Sequence, residues 1–234
     1  MRSLFFLVNI NMLIKTDITH DANEILELVK HLGPGKNSIN VPTGRFFYDS
    51  WETISEFKNT SIDTLLQKIP NIGEARINVL QPGESYMAHA DIDDRYHLTL
   101  DGEYSFLIDL KDNIMHDLPK DNILYRMDTS RVHTASNYGF KNRLQLVIRI
   151  LLNETKLKDP VKILINATET PYNLRYLFDN SFSIMLNVLN KKEQISNFTK
   201  ISEKSIEFEI ERSGLDKIEK CRKQCGFNTE VQYL

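Results

Sequence analysis

His89 and Asp91 stand two residues apart in the segment Tyr86-Met87-Ala88-His89-Ala90-Asp91. In an extended chain successive side chains alternate, so these two point to one face. His133, in Ser130-Arg131-Val132-His133-Thr134, follows Asp91 by 42 positions, far enough to come from another strand of a folded sheet. Two imidazoles and one carboxylate can occupy one face of a metal octahedron. That set suits ferrous iron and leaves three positions for a bidentate cosubstrate and dioxygen.

The surrounding residues fit the same chemistry. Arg143 heads the run Arg143-Leu144-Gln145-Leu146-Val147-Ile148-Arg149-Ile150. Its alternation sets Arg143, Gln145 and Val147 on one face and Leu144, Leu146 and Ile148 on the other. An arginine facing into a small barrel needs an anion, and its planar fork matches a carboxylate bidentately. Arg95, His97 and Thr99 likewise share a face of Arg95-Tyr96-His97-Leu98-Thr99-Leu100. Arg95 also has Asp93 and Asp94 close by as ordinary ion-pair partners.

These residues must be positioned by the elements around them. Apolar residues from Ile18 to His31 recur at helical spacing, and Gly33-Pro34-Gly35 ends that helix. Ser50 to Ile69 reads as a second helical region, closed by Pro70-Asn71-Ile72-Gly73. Strands are then expected at Ala75–Leu80, Tyr96–Leu100, Tyr104–Leu110, Ile123–Met127 and Leu144–Leu152. Short strands separated by Gly, Pro and Asp indicate a sandwich or small barrel. His116 and Asp117 fall in an expected exposed loop, and a turn or strand-edge hydrogen bond accounts for Asn137. Phe46, Phe47, Tyr48 and Trp51 read as core or as a substrate lid. Arg126 and Arg131 read as salt-bridged or as receivers of a substrate carboxylate. After Asp159-Pro160 a strand at Val161–Ile165, a helix at Tyr172–Leu189, a strand at Ser205–Ile210, a helix at Leu215–Cys225 and a strand at Val231–Leu234 make a small α+β unit.

Composition excludes several classes. The 234 residues are 41% hydrophobic and 26% charged with a net charge of −3, so no basic field draws the chain to nucleic acid or anionic lipid. The basic cluster Lys217, Lys220, Arg222 and Lys223 is mixed with Asp216 and Glu219, which is a solvated helix face. Two cysteines, Cys221 and Cys225, make no disulfide framework and fit a reducing compartment. The apolar run Leu4–Val8 is broken by Asn9 and Asn11 and is too short to span a bilayer, so it reads as a first strand rather than a leader. The expected location is the cytoplasm, that of a host if the gene is viral. Oligomeric state is left open.

From Asn78 to Arg149, about a third of the chain, the sequence resembles the aspartyl/asparaginyl β-hydroxylase-like branch of the Fe(II)/2-oxoglutarate dioxygenases, which includes bacterial proline hydroxylases. The matching blocks are Asn78-Val79-Leu80-Gln81-Pro82-Gly83, His89-Ala90-Asp91, Arg95-Tyr96-His97-Leu98, His133-Thr134-Ala135-Ser136-Asn137 and Arg143. The resemblance implies a double-stranded β-helix (jelly-roll, cupin-like) over residues 75–153. An N-terminal strand and helices (1–74) would pack on it, and a small C-terminal α+β unit (154–234) would follow. It implies His89, Asp91 and His133 as iron ligands and Arg143 at the distal carboxylate of 2-oxoglutarate. Arg95 and His97 would lie near the carboxylate lost as carbon dioxide, with Asn78 as a small polar helper. Asp91 supplies a carboxylate that the animal aspartyl/asparaginyl enzymes lack, as in the proline-hydroxylase relatives, and the loop from His89 to Arg95 is shorter than theirs. The implied reaction hydroxylates an amino-acid side chain, free or within a peptide or protein. It consumes O2 and converts 2-oxoglutarate to succinate and carbon dioxide.

Two other readings remain at this stage. One is a non-catalytic, metal-binding cupin-like barrel that recognises a ligand or protein. The other gives the C-terminal unit the task of docking a protein substrate.

Overall fold

The computed structural model describes residues 12–167, 182–200, 205–225 and 229–233. In chain order the elements are β1 (Leu13–Thr19), α1 (Ala22–Val29), β2 (Gly35–Ser38), β3 (Asn40–Pro42), β4 (Trp51–Thr53), α2 (Ser61–Lys68) and β5 (Ile72–Leu80). Then come β6 (Arg95–Asp101), β7 (Ser105–Asp109), β8 (Ile114–Asp117), β9 (Ile123–Met127), β10 (His133–Asn137) and β11 (Arg143–Ile150). The C-terminal part holds β12 (Pro160–Ala167), α3 (Ser183–Lys191), β13 (Ile195–Lys200), β14 (Ser205–Glu211), α4 (Leu215–Cys225) and β15 (Thr229–Tyr233).

A six-stranded sheet runs β1-β9-β6-β11-β5-β2, and a smaller one runs β10-β7-β8. Antiparallel bridges Ser85↔Ser136 and His89↔His133 add the segment after β5 to the outer side of β10. The chain therefore alternates between two facing sheets from β5 to β11, which is the winding of a double-stranded β-helix. The expected mainly β core with helices is borne out, as is the small C-terminal α+β unit. In that unit a four-stranded sheet, β13-β14-β12-β15, packs with α3 and α4 around Ile163, Phe208 and Ile218.

Both faces of the large sheet are buried, and they differ in chemistry. Leu144, Leu146 and Ile148 of β11 join Ile77, Val79, Leu98 and Leu100 under α1 and α2, which bury Ile25, Val29, Ile62 and Leu65. Each such side chain contributes about 1.5–3 kcal/mol on removal from water. The opposite face carries Arg143, Gln145 and Val147, next to Arg76 and Asn78 of β5 and His97 and Thr99 of β6. The closed end of the space between the sheets is filled by Leu80, Leu107, Met127 and Ala135. Gly102, in the turn from β6 to β7, has φ +131°, and a Cβ there would lie 3.1 Å from Arg143 Cα. The turn thus needs glycine so that the chain can pass against the head of β11.

Several local expectations are corrected. The stretch opening at Ile18 ends strand β1, and α1 begins only at Ala22, after Asp21 caps the Asn23 N–H at 2.8 Å. Ser50–Ile69 is not one helical region. Trp51–Thr53 pairs with β3, and the helix occupies Ser61–Lys68 alone. Asp63 fixes that boundary by accepting from Thr53 Oγ1 at 2.6 Å and from the Asn59 N–H at 2.9 Å. His116 lies on strand β8 and is half-buried, while Asp117 is exposed as expected. The expected strand at Leu4–Val8, and most of the helix expected from Tyr172, lie outside the described residues. Of that helix, Ser183–Lys191 is observed. Among the described residues no helix is long and apolar enough to cross a membrane.

Candidate metal centre

His89 and His133 face each other directly across a pair of backbone hydrogen bonds, 2.9 and 2.8 Å. Residues directly opposite on antiparallel chains share a face, so both imidazoles turn inward, and Asp91, two residues on, joins them. The Nε2 atoms of His89 and His133 each lie 3.6 Å from Asp91 Oδ2. All three ligand-type atoms fall within 4.8 Å of one another. Neighbouring ligands about 2.1 Å from a shared ion lie about 3 Å apart, so a small inward shift of the side chains would close the cluster on one ion.

The atoms around the cluster fit a cation. His89 Nδ1 and His133 Nδ1 each lie 2.8 Å from a backbone carbonyl, of Met87 and Arg131. Donation from Nδ1–H to those carbonyls leaves each Nε2 lone pair directed at the shared centre. Asp91 Oδ1 forms an ion pair with Arg95 Nη2 at 2.6 Å, whereas Oδ2 is buried without a hydrogen-bond partner. A buried carboxylate oxygen in that state is costly unless a cation meets it. Burial works to raise the Asp91 pKa, but Arg95 and the two histidines outweigh it and hold the carboxyl well below its usual range.

Burial lowers the His133 pKa to about 4, with His89 adding to the effect and Asp91 opposing it. The unfolded chain takes up that proton near pH 6.5, so from there down to about 4 it binds a proton that the native protein refuses. Stability of the metal-free protein is therefore expected to be intact above about pH 6.5 and to fall on acidification to about pH 4.5, with His133 contributing about 2–3 kcal/mol of the loss and the buried His97 adding in the same direction. Urea unfolding in the presence of a chelator at the two pH values measures this; an unchanged midpoint would refute it.

A cavity of ≈700 Å³ opens on the cluster. Arg143 lines it, 3% exposed, and among the described residues it makes no ion pair and no side-chain hydrogen bond. Burial pushes its pKa down to about 10, with Tyr86 acting the other way. His97 is buried with both ring nitrogens unpartnered, and burial, then Arg143 and Arg95, hold its pKa well below the ordinary value. Asn78 Oδ1 is also buried without a partner. The structure thus brings all seven sequence-derived residues to one cavity: His89, Asp91, His133, Arg143, Arg95, His97 and Asn78. Arg95 differs from expectation in that its Nη2 is already engaged by Asp91, and it sits 3.6 Å from Asp93.

Residues outside this set complete the site. Phe46 and Phe47 line the cavity, and the Arg149 guanidinium lies 4.8 and 5.0 Å from their ring centroids. Phe182, Leu186 and Phe198 of the C-terminal unit form an apolar wall. Asn187 of α3 donates to the Asp91 carbonyl at 3.2 Å, and Lys191 pairs with Asp94 at 3.0 Å and with Asp128 at 2.8 Å. The C-terminal unit therefore grips the metal loop as well as walling the cavity. Arg126 pairs with Asp94 at 3.0 Å, Arg131 pairs with Asp109 and Asp112, and Asn137, buried at the end of β10, donates to the Leu80 and Lys141 carbonyls.

Fold and cluster together define a double-stranded β-helix with a two-histidine, one-carboxylate centre inside it. No family model matches the chain, and no curated protein matches it. Among solved structures, the chain is similar to an oxidoreductase of the 2OG-Fe(II) oxygenase family from Burkholderia pseudomallei. Identity is 12%, the match covers 59% of this chain and 83% of that one, and the TM-score is 0.44. A Pseudomonas putida prolyl-4-hydroxylase matches at 15% identity over 61% of this chain and 93% of its own, with a TM-score of 0.39. CapF, solved with the inhibitor 3-isopropenyl-tropolone, matches at 14% identity over 48% of this chain and 30% of its own, with a TM-score of 0.31.

Proposed function

We propose that the chain is an Fe(II)- and 2-oxoglutarate-dependent dioxygenase that hydroxylates an amino-acid side chain. The substrate is a free amino acid such as proline, or an Asp, Asn or Pro residue of a peptide or protein, as in the aspartyl/asparaginyl β-hydroxylase-like branch. One observation carries the reading: a buried, uncompensated guanidinium, Arg143, shares a cavity with the His89, Asp91 and His133 cluster. A barrel that only held a metal has no use for that charge, which costs stability until an anion meets it.

His89 and His133 would hold the iron through Nε2 and Asp91 through Oδ2. Arg95 keeps the other Asp91 oxygen occupied, which turns Oδ2 toward the histidines. Arg143 grips the distal carboxylate of 2-oxoglutarate through its fork. His97, neutral at working pH, and Asn78 offer hydrogen bonds to the cosubstrate's polar atoms from the sheet floor. When bound, Fe(II) and 2-oxoglutarate supply the activation of O2, with succinate and carbon dioxide as coproducts. The apolar walls exclude water from the reacting centre.

The test is succinate formation from 2-oxoglutarate with Fe(II) and ascorbate, together with a mass gain of one oxygen atom across candidate amino acids and peptides. A pure, metal-binding protein that leaves 2-oxoglutarate intact across the whole panel would favour the non-catalytic barrel.

A further inference from the structure

The cavity carries more positive charge than the proposed iron and cosubstrate can use. Its cations are Lys36, Arg45, Arg76, Arg95, Arg143 and Arg149. Arg45 is met by Asp49 and Glu154, both 3.0 Å away. Arg76, Arg95 and Arg149 share three carboxylates. Glu74 lies 2.8 Å from Arg76 and 3.7 Å from Arg149, Asp93 lies 2.5 Å from Arg149, and Asp91 lies 2.6 Å from Arg95. Lys36 and Arg143 have no ion-pair partner among the described residues. A ferrous ion adds two positive charges, and dianionic 2-oxoglutarate removes two. The six cations face five carboxylates, so the loaded site keeps one net positive charge at a cavity walled by apolar side chains, which a second anion would relieve.

The place for that anion follows from the sheet register. Arg143 pairs with Leu80 and Arg76 pairs with Val147, so the two arginines lie four residues apart along β5 and β11, about 13 Å. Next to β5, Lys36 pairs with Asn78 and Ser38 with Arg76, which makes Lys36 a diagonal neighbour of Arg76. Arg76 is 7% exposed and its Nε is buried without a partner, while Lys36 stands at the exposed rim. Desolvation, then the neighbouring guanidiniums, lower both pKa values, Arg76 to about 10. These cations crowd one another, and the anions that act on both, Glu74 and Asp91, are shared with Arg149 and Arg95.

We infer that Arg76 and Lys36 form a second anion subsite, which takes the carboxylate or phosphate head group of the substrate while its apolar part lies against Phe182, Leu186 and Phe198. The inference rests on the oxygenase reading for the charge left over. It narrows that reading to substrates with an anionic group, such as a free α-carboxylate, rather than neutral internal residues of a protein.

The test uses the full chain loaded with Co(II) and the inert cosubstrate analogue N-oxalylglycine, titrated calorimetrically with hexanoate, hexyl phosphate and uncharged hexanamide. At least one anion is expected to bind about tenfold or more tighter than the amide. The tighter of the two anions identifies the head group. In the double variant Arg76→Gln, Lys36→Gln the preference is expected to fall within about twofold, with N-oxalylglycine affinity kept. Equal binding of amide and anions, anions that fail to bind below about 10 mM, or a preference that survives the double variant or is lost instead in Arg143→Met would overturn the subsite. If the double variant does not fold, Lys36→Gln at the rim decides, with a loss of about threefold expected and no loss refuting the proposal. Failure of N-oxalylglycine to bind the Co(II)-loaded protein would instead count against the oxygenase reading. The anion titrations of the metal-loaded protein would then still judge the subsite.

Discussion

His133→Ala is expected to abolish specific Fe(II) or Co(II) binding and, with it, all succinate formation. His133 offers one of the three ligand-type atoms of the candidate centre, and its imidazole is held by a 2.8 Å contact to the Arg131 carbonyl and by the backbone bridge to His89. No other His, Cys, Asp or Glu of the described residues joins the cluster to replace it. Loss of an outer-shell partner alone costs about 10–100-fold in metal affinity, and loss of a ligand should exceed that. The same variant removes one of the two buried histidines, His133 and His97, that make the metal-free protein acid-sensitive, so its stability should change less between neutral and acidic pH. Metal titration and urea unfolding of one preparation read both effects. Wild-type metal affinity in the variant would remove His133 from the centre.

Arg143→Met is expected to act in opposite directions on binding and stability. Cosubstrate affinity should fall by about 100-fold or more, because truncating one partner of a buried charge pair costs several kcal/mol. Metal affinity should stay near wild type, since Arg143 contacts none of the three ligands. The metal-free protein should become more stable by about 1–3 kcal/mol, because an apolar side chain of similar length replaces a buried, uncompensated cation. A protein stabilised by the loss of a binding residue shows that the residue is kept at a cost in fold stability. Calorimetric titration of 2-oxoglutarate and chemical unfolding separate the two effects. Unchanged cosubstrate affinity would refute the anchor assignment.

The centre was legible in the sequence because strand geometry is local. A two-residue spacing put His89 and Asp91 on one face, and alternation in Arg143–Ile150 put Arg143 and Leu144 on opposite faces, as observed. The facing of His89 and His133 was not local, since it depends on pairing across 44 positions. Strand β2 reads Gly-Lys-Asn-Ser and carries no apolar residue, so only its pairing with β5 makes it a strand. Strand β8 is likewise short and mostly exposed, and hydrophobic patterning gives it no signal. Arg76 also has a local signal: it lies two residues before Asn78, so the same alternation places it on the cavity face. The apolar wall from Phe182, Leu186 and Phe198 had no signal, because nothing local in those residues tells which surface they cover.

His133 and Arg143 stand on strands of the β-helix and His89 and Asp91 on the segment bridged to β10, whereas much of the apolar lining comes from the first fifty residues and from the segment after β12. Selection can therefore act on what the protein admits without touching how it reacts. Related genes that diverge at Phe46, Phe182 or Phe198 while retaining His89, Asp91, His133 and Arg143 would be one chemistry offered to different metabolites. Grafting the terminal segment of one onto another would be a direct way to transfer a diet.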